Sequence, residues 1–326
     1  MKPLKKALWS SVAIVAVWLA GCTVAAIHSA DWALHPERRA LMPADEAQAT
    51  AMADADHATL QQVAITANDG AALRAWYIRP APGNGDAVIL LHGQADNRAG
   101  MLGPAALLLR HGYAVLMPDA RAQGMSGGDL ATYGIKEADD LRRWFDWLAQ
   151  MQAPRCIDGL GNSMGAAQLL QSLNTERGFC AVVAESPFSS FREASYDRIG
   201  EWLGAGPRIG PLIGRTVLRP VVDIGFLYVR WKYGVDLAQD EPVQAVTTSQ
   251  VPVFLIHGLL DDNLPPRNSE MIVAECRGRN SNVVLWELPD AGHTGAASAE
   301  PAEYERRVIG WFESHAAAAS PGSLTR

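Results

Sequence analysis

Ile157-Asp158-Gly159-Leu160-Gly161-Asn162-Ser163-Met164-Gly165-Ala166-Ala167-Gln168-Leu169-Leu170 is the stretch on which the reading of the fold turns. A short apolar run, 157–160, leads into a serine with glycines two residues before and after it, and a helix-forming run follows at once. A buried strand, a tight turn and a helix in that order lift a hydroxyl clear of the backbone, and only small flanking residues tolerate the strained geometry. The short pattern is weak by itself, because the chain contains it twice. Gly124-Met125-Ser126-Gly127-Gly128 also matches, but it follows Pro118-Asp119-Ala120-Arg121 and leads into Gly128-Asp129, with neither strand before nor helix after. Context therefore selects Ser163 as the candidate nucleophile and leaves Ser126 in a loop.

On both sides of this stretch, short unbroken apolar runs alternate with helical patterns. Runs at 88–91, 113–117, 181–184, 253–256 and 283–286 suit a sheet buried on both faces. Helix-like stretches lie at 99–110, 135–150, 164–177 and 304–315. Such alternation predicts an α/β fold with a doubly wound, mostly parallel sheet. Two earlier strands, 62–66 and 73–78, are joined by Asn68-Asp69-Gly70, a hairpin signal, so the sheet is expected to begin with antiparallel strands. The stretch at about 188–250 breaks the alternation with Gly- and Pro-punctuated segments such as Trp202-Leu203-Gly204, and reads as a lid or cap insertion. Its alternative is a second membrane-contacting or oligomer surface.

A serine nucleophile needs a base, and the base needs an orienting acid; on a strand–turn–helix scaffold the chain order is Ser, then Asp or Glu, then His. His257-Gly258-Leu259-Leu260-Asp261-Asp262 follows a buried strand, which makes Asp261 the candidate acid and Asp262 its alternative. Pro289-Asp290-Ala291-Gly292-His293-Thr294-Gly295 is a loop after the next strand, which makes His293 the candidate base. His28, His35 and His57 precede the sheet, while His111 and His315 end helices. Two N–H donors must hold the oxyanion of an acyl-transfer intermediate. Met164, after the nucleophile, supplies one; Gln94, after the early strand and turn Leu90-Leu91-His92-Gly93, is the expected second.

The N-terminus has its own pattern. Lys2, Lys5 and Lys6 precede the apolar run 7–20, a basic region followed by a hydrophobic one, as in an export or anchoring segment. Leu19-Ala20-Gly21-Cys22 resembles the lipobox of bacterial lipoproteins, with Cys22 as the lipidation candidate; the competing reading is an uncleaved membrane-spanning helix, since apolar residues continue through Ile27. Either places the protein outside the cytoplasm on a membrane, in a bacterial periplasm or cell envelope. Residues 1–30 are thus read as signal or anchor, 31–61 as a linker or loosely packed leader, 62–315 as the main domain and 316–326 as a tail. With 35 acids against 28 lysines and arginines, the net charge of −7 argues against nucleic acid as a partner. No cysteine has metal-ligand spacing, and no metal is expected; Cys156 and Cys180 each open a predicted strand and are a candidate disulfide.

Together these segments resemble the α/β-hydrolase superfamily, more narrowly membrane-anchored bacterial serine hydrolases similar to the prolyl-oligopeptidase-like and dienelactone-hydrolase-like groups. The resemblance rests on His92-Gly93 with Asn97-Arg98, Asp119-Ala120-Arg121 with Gly124 and Ser126, Tyr133-Gly134 with Glu137 and Asp140, the turn at Ser163, Pro187-Phe188, Asp261, and Ala291-Gly292-His293. It implies a carboxylesterase-like enzyme acting on a small-molecule acyl substrate without a metal or organic cofactor. Ala122 stands where such proteins usually have glycine, and Asn162 and Ala166 replace commoner residues around the nucleophile. A serine peptidase shares the same triad, and a non-catalytic anchored binding protein shares the fold.

Overall fold

The computed structural model describes residues 2–201, 204–239 and 241–316. Trp202-Leu203 and the tail from 317 onward lie outside the described residues. Eight strands, β1 (Ala58–Thr66), β2 (Ala72–Pro80), β3 (Ala87–Leu91), β4 (Ala114–Pro118), β5 (Ile157–Asn162), β6 (Val182–Glu185), β7 (Val253–Gly258) and β8 (Val283–Leu288), form one sheet in the order β1-β2-β4-β3-β5-β6-β7-β8. β1 and β2 make the antiparallel hairpin, β2 runs antiparallel to β4, and every later pairing is parallel. The mostly parallel sheet with antiparallel strands at its start is the architecture that the alternation predicts.

The helices are α1 (Lys2–Leu34), α2 (Pro43–Ala55), α3 (Leu102–Arg110), α4 (Glu137–Gln152), α5 (Met164–Ser172), α6 (Phe191–Glu201), α7 (Gly206–Arg215), α8 (Arg219–Tyr233), α9 (Pro242–Thr248), α10 (Arg267–Cys276), α11 (Ala296–Ala299) and α12 (Pro301–Ala316). The described chain divides into two compact units, one of Met1–Leu34 with Arg192–Ala238, the other of His35–Phe191 with Gln239–Arg326.

In the larger unit both faces of the sheet are covered, which is why the central strands are apolar without alternation. One face packs Val88, Leu90, Val115, Met117 and Val183 against Leu108 of α3 and Val308 and Phe312 of α12. The other packs Ile89, Leu116, Ile157 and Val182 against Leu141, Trp144 and Phe145 of α4, Leu169 and Leu170 of α5 and Ile272 of α10. A disulfide joins Cys156 and Cys180, whose α-carbons are 5.8 Å apart where the parallel neighbours β5 and β6 begin.

Within residues 31–61, read as a linker or leader, the structure has the end of α1, the helix α2 and the start of β1. α2 buries Ala49 and Ala53 against the core, and β1 begins at Ala58. Only two small side chains of α2 are buried, so the helix leaves almost no apolar period for sequence to show.

In the smaller unit, α1 is a 33-residue helix whose segment Trp9–Leu34 is long and apolar enough to cross a membrane. Cys22 lies within this helix and is buried. The same unit contains α7, α8 and most of α6.

Candidate active site

Ser163 occupies the turn between β5 and α5 with φ 55° and ψ −118°, a conformation costly for an L-residue, and its N–H donates to the Glu185 carbonyl at 2.8 Å. The glycines around it are required sterically: a β-carbon at 161 would lie 2.6 Å from the Gly165 carbonyl oxygen, and one at 165 would lie 2.4 Å from that of Leu91.

His293, on the loop after β8, places Nε2 2.8 Å from Ser163 Oγ and Nδ1 2.8 Å from Asp261 Oδ2. Asp261, on the loop after β7, is only 3% exposed, and its Oδ1 accepts the N–H groups of Asn263 and Leu264 at 3.0 and 2.8 Å. Burial by itself would raise its pKa, but hydrogen bonds from His257 and His293, with the Leu264 N–H, hold it well below the usual carboxylate range. An ionised carboxylate only accepts, so Nδ1 of His293 must carry the proton, which leaves Nε2 as the acceptor facing the Ser163 hydroxyl. Asp262 is exposed, so it is Asp261 that the loop turns toward His293.

Two supports of this chain of hydrogen bonds escape a linear reading. His257, fully buried at the end of β7, points Nε2 at both the Leu264 carbonyl (2.8 Å) and Asp261 Oδ2 (3.3 Å), while Nδ1 meets Ser269 Oγ at 2.7 Å. Glu185, buried at the end of β6, accepts the Ala296 N–H at 2.9 Å, and the Ser186 hydroxyl accepts the Thr294 N–H at 3.2 Å. The end of β6 thereby fixes the loop of His293 and, through the Glu185 carbonyl, the turn of Ser163. Burial raises the Glu185 pKa against the Ala296 hydrogen bond. The local signal for His257 was its place immediately before the acid loop; Glu185 and Ser186 offered none.

The loop after β3 closes on the serine from the other side, since a β-carbon on Gly93 would lie 3.5 Å from Ser163 Cβ. His92 organises that loop: its Nε2 accepts the Ala120 N–H at 3.0 Å, so Nδ1 donates to the Gly93 carbonyl at 2.7 Å. Burial lowers the pKa of His92, in keeping with a neutral ring in that tautomer. The Gln94 side chain is tied to the Tyr133 hydroxyl at 2.8 Å. Among the described residues the main-chain N–H groups of Gln94 and Met164 donate to no protein acceptor.

Ser126 is held differently. It is fully buried, accepts the Arg74 N–H at 2.9 Å and donates to the Asp119 carbonyl at 2.8 Å. Around it, Asp119 accepts Arg98 through both its main-chain N–H and its guanidinium, each at 2.7 Å, and also the Met125 N–H at 2.7 Å. Arg121 grips Asp140 with two hydrogen bonds of 2.7 Å, and Glu137 accepts from the Thr132 and Gly134 N–H groups at 2.7 and 2.8 Å. These residues shape the 119–140 loop. Ala122 has φ 59°, a left-handed conformation that favours glycine. Among the described residues no group of three or more His, Cys, Asp and Glu side chains could hold a metal.

Known proteins similar to this chain share its fold. The model of the alpha/beta hydrolase family matches residues 88–307. The uncharacterized Bacillus subtilis protein YqkD is 28% identical over 195 residues, 59% of this chain and 60% of its own length. Mycobacterium tuberculosis Rv2307c, also uncharacterized, is 27% identical over 238 residues, 72% of each chain. Among solved structures, the Pyrococcus furiosus esterase Pf2001 is 25% identical with a TM-score of 0.66, covering 87% of this chain and all of that one. A Pyrococcus horikoshii acylaminoacyl peptidase shares the fold at 16% identity and a TM-score of 0.58, over 79% of this chain and 41% of the peptidase. A matched region of this extent, spanning the strands that carry Ser163, Asp261 and His293, decides the assignment: the chain belongs to the alpha/beta hydrolase family.

Proposed function

We propose that the protein is a serine hydrolase that cleaves a carboxylic ester or a similar acyl bond, with Ser163 as nucleophile, His293 as general base and acid, and Asp261 as the orienting acid. The observation that carries this reading is the unbroken chain of two 2.8 Å hydrogen bonds from Ser163 Oγ through His293 to a buried, ionised Asp261.

Ser163 Oγ attacks the acyl carbonyl while its proton passes to His293 Nε2. The carbonyl π electrons move to oxygen, and the N–H groups of Gln94 and Met164 stabilise the oxyanion. Collapse breaks the bond to the leaving group, which takes the proton from His293. Water then repeats the sequence, giving up a proton to His293, attacking the acyl-enzyme and releasing the acid and Ser163. Asp261 stays ionised throughout and holds the imidazole in the tautomer each step needs.

An ester rather than a peptide bond is favoured by the likeness to an esterase over that protein's whole length. The N-terminal helix is proposed to anchor the enzyme on a membrane outside the cytoplasm, through a lipid on Cys22 or by spanning the bilayer. Turnover of a series of p-nitrophenyl esters against matched peptide anilides tests the reading. Ester hydrolysis lost in Ser163→Ala is expected; hydrolysis of anilides alone would make the enzyme a peptidase, and turnover of neither series would remove the assignment.

A further inference from the structure

We propose that the outward face of α7 and α8 lies in the interface of an anionic bilayer, beside the N-terminal helix. This rests on α1 entering a membrane and is independent of the chemistry at Ser163.

α8 buries one apolar face and exposes two large apolar side chains on another, among Arg219, Asp223 and Arg230. One face buries Val221, Val222, Gly225, Phe226 and Val229. Part of that face meets α1: a β-carbon on Gly225 would stand 3.6 Å from the Ala26 carbonyl oxygen and 3.9 Å from the Ala30 β-carbon, so glycine permits a close helix–helix approach. The other face presents Leu227 and Trp231, one turn apart, at 67% and 83% exposure. α7 adds exposed Ile209 and Leu212, one turn apart on its own surface, and Val217 follows. Five large apolar side chains exposed on α7, α8 and the turn between them form the kind of surface that marks an interaction site.

The partner is identified by what surrounds this face. The apolar segment Trp9–Leu34 has 26 residues, about 39 Å at 1.5 Å per residue, longer than the roughly 30 Å hydrocarbon core. Its last turns must therefore emerge at the headgroups. There Asp31 accepts from Tyr228 Oη (3.1 Å), Lys232 Nζ (3.1 Å) and Tyr233 Oη (2.6 Å), all on α8. Tyrosine, tryptophan and lysine gathered at one level are the composition of a membrane–water boundary, and Trp32 and Trp231 are exposed at the same ends of α1 and α8. Charge points the same way. With Lys2, Lys5 and Lys6 left aside at the far end of α1, residues 192–238 and Asp31 have seven lysines and arginines against six acids, a net +1, whereas residues 35–191 and 239–326 carry −11. An aromatic-edged apolar face flanked by the exposed Arg219 and Arg230 fits anionic headgroups, which draw basic side chains electrostatically.

The test places a benzophenone amino acid singly at 212, 227 or 231 of the full chain, in vesicles of phosphatidylglycerol and phosphatidylethanolamine that contain an alkyne-tagged lipid. Position 24 serves as anchor control and position 313 as a control on the other unit. Lipid adducts at 212, 227 and 231, at a yield within about threefold of position 24 and at least tenfold above position 313, are expected for a face sunk about 5–10 Å into the boundary. Replacing phosphatidylglycerol by phosphatidylcholine should lower the yield at 231 at least about twofold; equal yields would overturn the anionic partner. Lipid adducts at 24 but not at 212, 227 or 231 would overturn the docking while leaving the anchor standing. Adducts to a second copy of the chain would overturn it in favour of an oligomer surface, and absence of lipid adducts at every position would remove the anchor as well.

Discussion

Replacing Asp261 by asparagine changes one atom group at the base of the Ser163–His293 pair and leaves its volume untouched. Oδ1 can still accept the Asn263 and Leu264 N–H groups, so the loop keeps its shape. The amide NH2, however, now faces His293 Nδ1 across a 2.8 Å contact that the carboxylate filled as acceptor. Two donors cannot share that contact, so the imidazole moves its proton to Nε2, the nitrogen that must receive the Ser163 proton across 2.8 Å. A base in the wrong tautomer, with no anion to stabilise its charged form, is expected to lower kcat by about 10⁴-fold, or about 5.5 kcal/mol of barrier. Asp262 is exposed and outside this chain of hydrogen bonds, so Asp262→Asn should change kcat less than about twofold. The assay is steady-state hydrolysis of a short p-nitrophenyl ester, with circular dichroism to confirm the fold. Equal losses in the two variants, or a loss below about tenfold in Asp261→Asn, would refute the assignment of the acid.

Further expectations concern the scaffold. Asp158, buried in β5 with one oxygen on the Ala181 N–H and Asp86 nearby, is held well above the usual carboxylate range by burial and then by Asp86. A carboxyl raised in the fold keeps a proton that the unfolded chain releases above about pH 4, so its contribution to stability is complete below that pH and declines as pH rises toward the folded value. Asp158→Asn should therefore gain on the parent in Tm as pH climbs from 4 to 8; parallel curves would refute the burial argument. Removing the Cys156–Cys180 disulfide, 24 residues apart, should cost about 3–4 kcal/mol in urea unfolding. The unreduced, denatured protein should show two free thiols, or one where Cys22 carries a lipid; two more than either count would contradict the pairing. Asp119→Ala strands the buried Arg98 guanidinium and should destabilise by about 3–5 kcal/mol; a change under 1 kcal/mol would mean that the ion pair is dispensable.

The residues that a sequence reveals here are those whose role is set by their neighbours along the chain. Ser163 could be told from Ser126 because a strand before it and a helix after it are local facts. Asp261 and His293, which the structure brings within hydrogen-bond distance of one another and of Ser163, could be proposed because each sits on the loop that follows an apolar run. His257 and Glu185 were not singled out, since their contacts exist only once parallel strands bring three strand ends together. α2 was hidden for another reason: burial of two alanines leaves no periodicity to detect. The loop residues of the family pattern, Asp119, Glu137 and Asp140, were visible as a resemblance, but their tasks of holding Arg98, the Thr132–Gly134 backbone and Arg121 needed coordinates. The hydrogen bonds of Asp31, near the end of α1, to Tyr228 and Tyr233 likewise join residues 197 and 202 positions apart.

The most direct measurement is covalent labelling with a fluorophosphonate probe followed by peptide mapping. An activated serine attacks phosphorus and keeps the label, whereas an unactivated one does not react. Ser163 is predicted to carry one label per chain, Ser163→Ala to carry none, and Ser126→Ala to label at close to the parent rate, because its hydroxyl is committed to Arg74 and Asp119. Labelling at Ser126, or no labelling of the folded parent protein, would contradict a serine hydrolase built on Ser163.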